Sequence, residues 1–184
     1  MPAQNLSDDM CPREIAVSVA DATDTLTAAG IADARVDAEL LLAHVMDVGR
    51  GELQAAALRG DTLDEASDAH FRDLVARRAS REPLQHITGT APFRHLELRV
   101  GPGVFVPRPE TETLVQIALD ALLAAASPSP IAVDLGTGSG AIALALATEA
   151  PHSRVFAAEN AVDAFVWAKE NFADVGAENA TLAF

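Results

Sequence analysis

Asp134-Leu-Gly-Thr-Gly-Ser-Gly140 places an acid, two hydroxyls and three alternating glycines within seven residues. A short apolar run, Ile131–Val133, precedes it and reads as a buried strand. A run of helix formers, Ala141–Ala147, follows. Strand, glycine turn and helix make the first unit of a doubly wound sheet, where ligands bind beyond the carboxyl end of the strand. Glycine lets the backbone turn sharply and approach a ligand without a Cβ in the way. The helix start adds free N–H groups and the positive end of its dipole. The expected chemistry is recognition of a nucleoside-containing cofactor. A P-loop would end in Gly-Lys-Ser/Thr, and no lysine stands here. Gly136, Gly138 and Ala141 meet the dinucleotide pattern G-x-G-x-x-G/A. Asp134, however, would repel a pyrophosphate, whereas it suits a cofactor's amino group.

A second acid belongs to the same picture. Arg154–Ala158 reads as the next strand and delivers Glu159 at its carboxyl end, nineteen residues after Gly140. An acid there accepts ribose hydroxyls. Glu159-Asn160 also precede a helix expected over Val162–Phe172, so a helix cap is the alternative; the strand-end position favours the ribose. In Val104-Phe-Val-Pro-Arg-Pro-Glu-Thr-Glu112 two prolines fix the backbone on both sides of Arg108. Glu110 and Glu112 then enter the first turn of a helix, where negative charge is favoured. This stretch is either a rigid linker or the wall of a binding cleft, and composition does not choose between them.

Helices must position these residues. After a tail, Met1–Met10, a helix is expected from Pro12, with Ile15, Val19, Ala22, Leu26 and Ala29 on one face and Gly30 as its stop. A second, Ala34–Val48, is apolar on more than one side through Leu40, Leu41 and Leu42, as the centre of a bundle would be. A short helix over Glu52–Leu58 follows, then one over Leu63–Arg81 capped by Asp61 or Thr62, with Phe71, Leu74 and Val75 inward and Pro83 ending it. His44 and His70 read as ordinary helix residues. Leu84–Thr88 and Arg94–Val100 are expected as the two strands of a hairpin, turned by Gly89–Pro92. The helix after Pro109 has Leu114, Val115, Ala118, Leu119, Leu122 and Leu123 on its apolar face; Trp167 reads as packing; a third strand starts at Ala180. The expected architecture is α/β. Residues 1–82 form a helical bundle, 83–107 a hairpin linker, and 108–184 the first part of a Rossmann-like sheet domain.

Bulk composition narrows the function. Hydrophobic residues make up 49% of 184, enough for packed cores. A net charge of −14 argues against direct binding to nucleic-acid phosphates. One cysteine, Cys11, excludes an internal disulfide and fits a reducing cytoplasm. The sequence shows no signal peptide, no apolar run of membrane-spanning length, and no metal site.

Asp134-Leu-Gly-Thr-Gly-Ser-Gly140 resembles the Asp-x-Gly-x-Gly-x-Gly turn of methyltransferases that use S-adenosylmethionine, at every fixed position. Three further stretches extend the likeness: Asp37-Ala-Glu-Leu-Leu-Leu-Ala-His44, Arg77-Arg-Ala-Ser-Arg-Glu-Pro-Leu-Gln-His-Ile-Thr-Gly89 and Phe105-Val-Pro-Arg-Pro-Glu-Thr-Glu112. Together they resemble the release-factor glutamine methyltransferase family over nearly the whole chain after residue 12. The Pro-Arg-Pro-Glu-Thr-Glu run is the most specific. It speaks for the methyl donor over NAD, and against the sister family that methylates a ribosomal-protein glutamine. The resemblance implies methylation of the glutamine of the Gly-Gly-Gln motif in peptide chain release factors. It also implies that Asp134, Gly136, Thr137, Gly138, Ser139, Gly140 and Glu159 hold S-adenosylmethionine, with Glu159 on the ribose. Phe105, Arg108 and Glu110 would shape the substrate mouth, and the bundle would dock the release factor.

The family's Asn-Pro-Pro-Tyr motif, which grips the substrate amide, is missing from these 184 residues. No catalytic residue is therefore assigned. The chain is expected to be the front part of such an enzyme, inactive alone, with Ile131–Leu135 left as an exposed apolar edge. The alternatives are a non-catalytic protein-binding module that retains the bundle, a ribosomal-protein glutamine methyltransferase, and an NAD-linked oxidoreductase fragment.

Overall fold

The computed structural model describes residues 12–184. The tail and Cys11 lie outside the described residues. In chain order the elements are β1 (Arg13–Glu14), α1 (Ile15–Ala28), α2 (Ala34–Met46), α3 (Arg50–Arg59), β2 (Thr62–Leu63), α4 (Glu65–Ala79), α5 (Leu84–Thr88), β3 (Thr90–Phe93), β4 (Leu96–Arg99), α6 (Pro109–Ala124), β5 (Ile131–Leu135), α7 (Ala141–Glu149), β6 (Arg154–Ala158), α8 (Val162–Val175) and β7 (Ala180–Ala183). The chain divides into two compact units, the second starting at Gly89.

The first unit is a helical bundle around α2, which packs against α1, α3, α4 and α5. On α1 the spacing of Ile15, Val19, Ala22 and Leu26 buries one face, as expected, and Gly30 ends the helix at φ +71°. Both buried acids of α2 serve structure. Asp37 accepts a 2.7 Å bond from Arg78 Nε. Glu39 accepts from Arg35, Arg50 and Gln54 at 2.8–3.0 Å. Burial pushes the Glu39 carboxyl up, but these three donors together outweigh it and hold the group below its ordinary value.

Two helix starts differ from expectation. Arg13–Glu14 and Thr62–Leu63 pair antiparallel, so both segments are extended just where helix was expected. Consequently α1 begins at Ile15 rather than at Pro12. On α4 the cap is Asp64, not Asp61 or Thr62, and its carboxylate accepts the Ser67 N–H at 2.9 Å.

The expected strand Leu84–Thr88 is the short helix α5. Pro83 starts it, with its carbonyl accepting the His86 and Ile87 N–H groups, and Leu84 and Ile87, three apart, turn one face to the bundle core. The hairpin exists, but its first strand is β3, where the turn was expected. Thr90 pairs with Arg99 and Phe93 with Leu96, so the turn is Arg94-His95. Arg94 takes φ +52° there, uncommon for a residue other than glycine. Its N–H donates to Glu112 Oε1 at 3.0 Å, and its guanidinium grips Glu149 at 2.5 and 2.6 Å. These contacts tie the hairpin turn to α6 and α7.

The second unit is built around α7, whose Ala143–Ala147 are all buried. Val115, Leu119 and Leu122 of α6, Phe93 and Leu98 of the hairpin, and Val155 and Ala157 of β6 complete this core. Leu114 and Leu123, expected on the apolar face of α6, are exposed. The sheet is parallel in the order β5-β6-β7. Ile131–Val133 is therefore not a buried strand. At the edge, only Ala132 packs on the core, while Ile131, Val133 and Leu135 are 57%, 62% and 78% exposed. The period-two alternation shows that one face of β5 is covered and the other open.

Candidate functional site

Sheet register brings the two sequence signals together. Leu135 pairs with Ala158, so β5 and β6 end side by side. The Ala158 carbonyl accepts both the Gly136 N–H at 2.8 Å and the Thr137 N–H at 3.0 Å. The glycine turn thus starts by folding over the end of β6. Next, the Gly138 N–H donates to Glu159 Oε2 at 2.8 Å. Within the turn, Thr137 Oγ1 donates to Asp134 Oδ2 at 2.7 Å and the Gly140 N–H returns to the Thr137 carbonyl at 2.9 Å. Helix α7 then begins at Ala141.

Gly136 and Gly140 are needed for different reasons. Gly136 has φ +73°, and a Cβ there would meet nothing within 4 Å. It faces open space beside exposed Leu135. Gly140 has φ +87°, and a Cβ there would stand 2.9 Å from Phe172 Cε2. The first glycine leaves room outside the turn, and the second lets the turn sit down on α8.

Glu159 is buried and accepts three backbone N–H groups: Gly138 on Oε2, and Asn160 and Ala161 on Oε1, at 2.8–2.9 Å. The Ala161 bond foremost, with those of Gly138 and Asn160, holds its carboxyl below the ordinary value against an upward push from burial. Ala161 is the N-cap position of α8, so Glu159 also caps the helix entry. An ionised carboxylate offers about four lone-pair sites. Oε2 therefore retains capacity for a further hydroxyl donor.

Loop 100–106 runs past this turn. Val104 is buried, with Cγ2 3.9 Å from where a Cβ on Gly138 would lie. The next residue, Phe105, is 91% exposed. Arg108 occupies the N-cap position of α6 and Glu110 its first turn, both exposed. Glu112, by contrast, holds the hairpin turn through Arg94. The structure therefore joins Asp134, Gly136–Gly140 and Glu159 into one site and sets Phe105, Arg108 and Glu110 on exposed backbone leading from Val104.

Helix α8 carries residues that motif reading passed over. Trp167 packs against Gly101, where a Cβ would come within 2.4 Å of its ring, and its Nε1–H donates to the Pro102 carbonyl at 3.1 Å. The packing role expected for Trp167 is what the structure shows. One turn on, buried Asn171 holds Arg99 and the glycine turn. A signal existed for it: Asn171 follows Ala164 and Ala168 at spacings of four and three, a polar residue on a buried stripe.

Residues 19–89 match the family model described as the PrmC N-terminal domain. The chain is 54% identical over 153 residues to the release factor glutamine methyltransferase of Streptomyces coelicolor, covering 83% of this chain and 52% of that protein. Over most of its length the chain is thus similar to release factor glutamine methyltransferases, and residues 19–89 carry the PrmC N-terminal domain. Relatives of the same name in Bifidobacterium longum and Mycolicibacterium smegmatis are 44% identical over 163 residues and 47% over 157. These alignments cover 88% and 85% of this chain but 55% and 53% of the relatives. The chain thus spans about half the length of the curated relatives it matches. A solved precorrin-6y C5,15-methyltransferase of Geobacter metallireducens covers 47% of the chain and 43% of its own, at 18% identity and TM-score 0.36. Coclaurine N-methyltransferase covers 92% and 49%, at 14% identity and TM-score 0.35. Both scores are too low to carry weight. The PrmC N-terminal match starts within α1 and ends at Gly89, where the second unit begins, so it covers most of the bundle. No helix among the described residues is long and apolar enough to cross a membrane.

Proposed function

We propose that this chain carries the S-adenosylmethionine-binding part of an enzyme that methylates the glutamine of the Gly-Gly-Gln motif in peptide chain release factors. The observation that supports it most is the 2.8 Å bond from the Gly138 N–H to Glu159, which makes the glycine turn and the strand-end acid one cradle. The open space at Gly136 and the spare acceptor capacity of Glu159 Oε2 fit a nucleoside ligand. Gly136–Gly140 would pass along its methionine and sugar end, Asp134 would face the amino group, and Glu159 would take a ribose hydroxyl. When bound, the cofactor supplies an electrophilic sulfonium methyl. The protein's share is alignment, because bringing a nucleophile and that methyl into line removes most of the entropic barrier. Phe105, Arg108 and Glu110 would border the glutamine, and the bundle would dock the release factor. A reducing cytoplasm is the compartment that suits a lone cysteine and a translation-linked substrate.

A second reading rests on the bundle, a compact unit that matches a family domain: a module that binds the release factor without turnover. Calorimetric titration with S-adenosylmethionine, beside Glu159→Ala, tests the first reading. Saturable binding that the variant loses is expected; no binding by folded wild type refutes it. Capture of a release factor without methyl transfer would favour the module.

A further inference from the structure

We infer that Asn171 is a positioning residue for the cofactor turn: one buried amide clamps the turn, α8 and the hairpin into a fixed relation. The inference rests on the proposed S-adenosylmethionine site and adds to it a residue from outside the glycine turn and the strand end.

Asn171 is 2% exposed. Its Nδ2 donates to the Ser139 carbonyl at 2.8 Å and to the Arg99 carbonyl at 2.9 Å, and its Oδ1 accepts the Arg99 N–H at 2.7 Å. The side chain thereby pairs with both backbone groups of one strand residue, as an opposite residue in an antiparallel ladder does. Its second donor bond reaches into the glycine turn, where Ser139 is itself buried.

The consequence for the turn is directional. With the Ser139 carbonyl held by Asn171 and the Gly140 N–H held by Thr137, the Ser139–Gly140 peptide plane is fixed from both sides. A buried carbonyl deprived of its donor costs its desolvation, so the peptide would rotate to recover a partner. That rotation would carry the glycine turn with it, and with it the Gly138 N–H on Glu159. The same amide anchors Arg99, after which the chain runs through Gly101, seated on Trp167, to Val104 beside Gly138. Loss of Asn171 therefore loosens the turn and the loop that borders it together.

A control is available in the same unit. Asn179 Nδ2 donates to the carbonyls of Ala147, Ala150 and Ser153 at 3.1–3.4 Å. It makes the same kind of clamp at the opposite, amino-terminal end of the parallel strands. Asn171→Ala, Asn171→Asp and Asn179→Ala are compared with wild type by thermal unfolding and by calorimetric titration with S-adenosylmethionine, at a temperature where each is folded. The Asp variant keeps the acceptor for the Arg99 N–H and loses donation to the Ser139 and Arg99 carbonyls. Expected is an increase in Kd of about tenfold or more for both Asn171 variants, the effect of losing one organising hydrogen bond. Asn179→Ala is expected to lower the melting temperature with Kd unchanged. Folded Asn171 variants with wild-type Kd overturn the inference, as does unfolding of both, which would leave Asn171 a purely structural residue. Failure of folded wild type to bind overturns the site itself and this inference with it.

Discussion

Leu135 and Ala158 stand opposite each other at the ends of two parallel strands, and everything in the candidate site follows from that register. Because the strands end level, the Ala158 carbonyl can receive the first two N–H groups of the glycine turn. Glu159, one residue on, then lies beneath Gly138.

The Glu159 carboxyl lies below its ordinary value, chiefly through the Ala161 N–H bond. A depressed acid contributes stability that is fully present above its unfolded pKa, about 4.3, and is lost as pH falls through the lower folded value. The group therefore stays ionised through the weakly acidic range. Affinity for S-adenosylmethionine, measured by titration, is expected to be flat from about pH 8 to about pH 5 as far as Glu159 is concerned. A loss of affinity by folded protein centred near pH 6 would assign the controlling group elsewhere.

The two glycines should separate binding from stability. Gly136→Ala meets only the strain of φ +73°, about 1–2 kcal/mol, but puts a methyl into the open space outside the turn. Its main effect should be weaker cofactor binding. Gly140→Ala adds to a similar strain a collision with Phe172 and should lower stability more. Chemical denaturation and calorimetry on both variants check the crossover; equal effects of both on both quantities would contradict it.

Arg94 and Glu149 tie the hairpin turn to α7. The Arg94 guanidinium holds the Glu149 carboxyl below the usual carboxylate range, against a smaller upward push from burial. By the same sign argument this stability is present above the ordinary carboxylate pKa and disappears as pH falls through the lowered one. Glu149→Gln should lower the melting temperature at pH 7 and have a smaller effect at pH 3. An undiminished difference at the lower pH would show that charge is not what joins them.

Strand β5 presents Ile131, Val133 and Leu135 on an open face at the edge of the sheet. Unpaired backbone beside exposed apolar side chains templates association. Wild type should self-associate with rising concentration in sedimentation or light scattering. Val133→Lys should reduce this while changing stability by no more than about 0.5 kcal/mol, as surface substitutions do. Identical association by the two proteins would locate the sticky surface elsewhere.

What the sequence determined by itself was local. The alternating glycines, the good helix formers after them and the short apolar runs define β5, the turn, α7 and β6, because each depends on backbone preferences within a few residues. The stripe of Ile15, Val19, Ala22 and Leu26 likewise announces α1. Tertiary structure decided whatever needed a distant partner. Leu84–Thr88 is a helix because Leu84 and Ile87 meet the bundle core, although five residues with two apolar side chains suit a short strand equally well. The hairpin turns at Arg94 rather than at Gly89–Pro92 because Glu112 and Glu149 hold a positive φ that the local sequence disfavours. Asn171 acquires its role from carbonyls 72 and 32 residues away. Ile131–Val133 has the composition of a buried strand, yet its exposure is set by which strands and helices stand beside it, a property of the whole sheet.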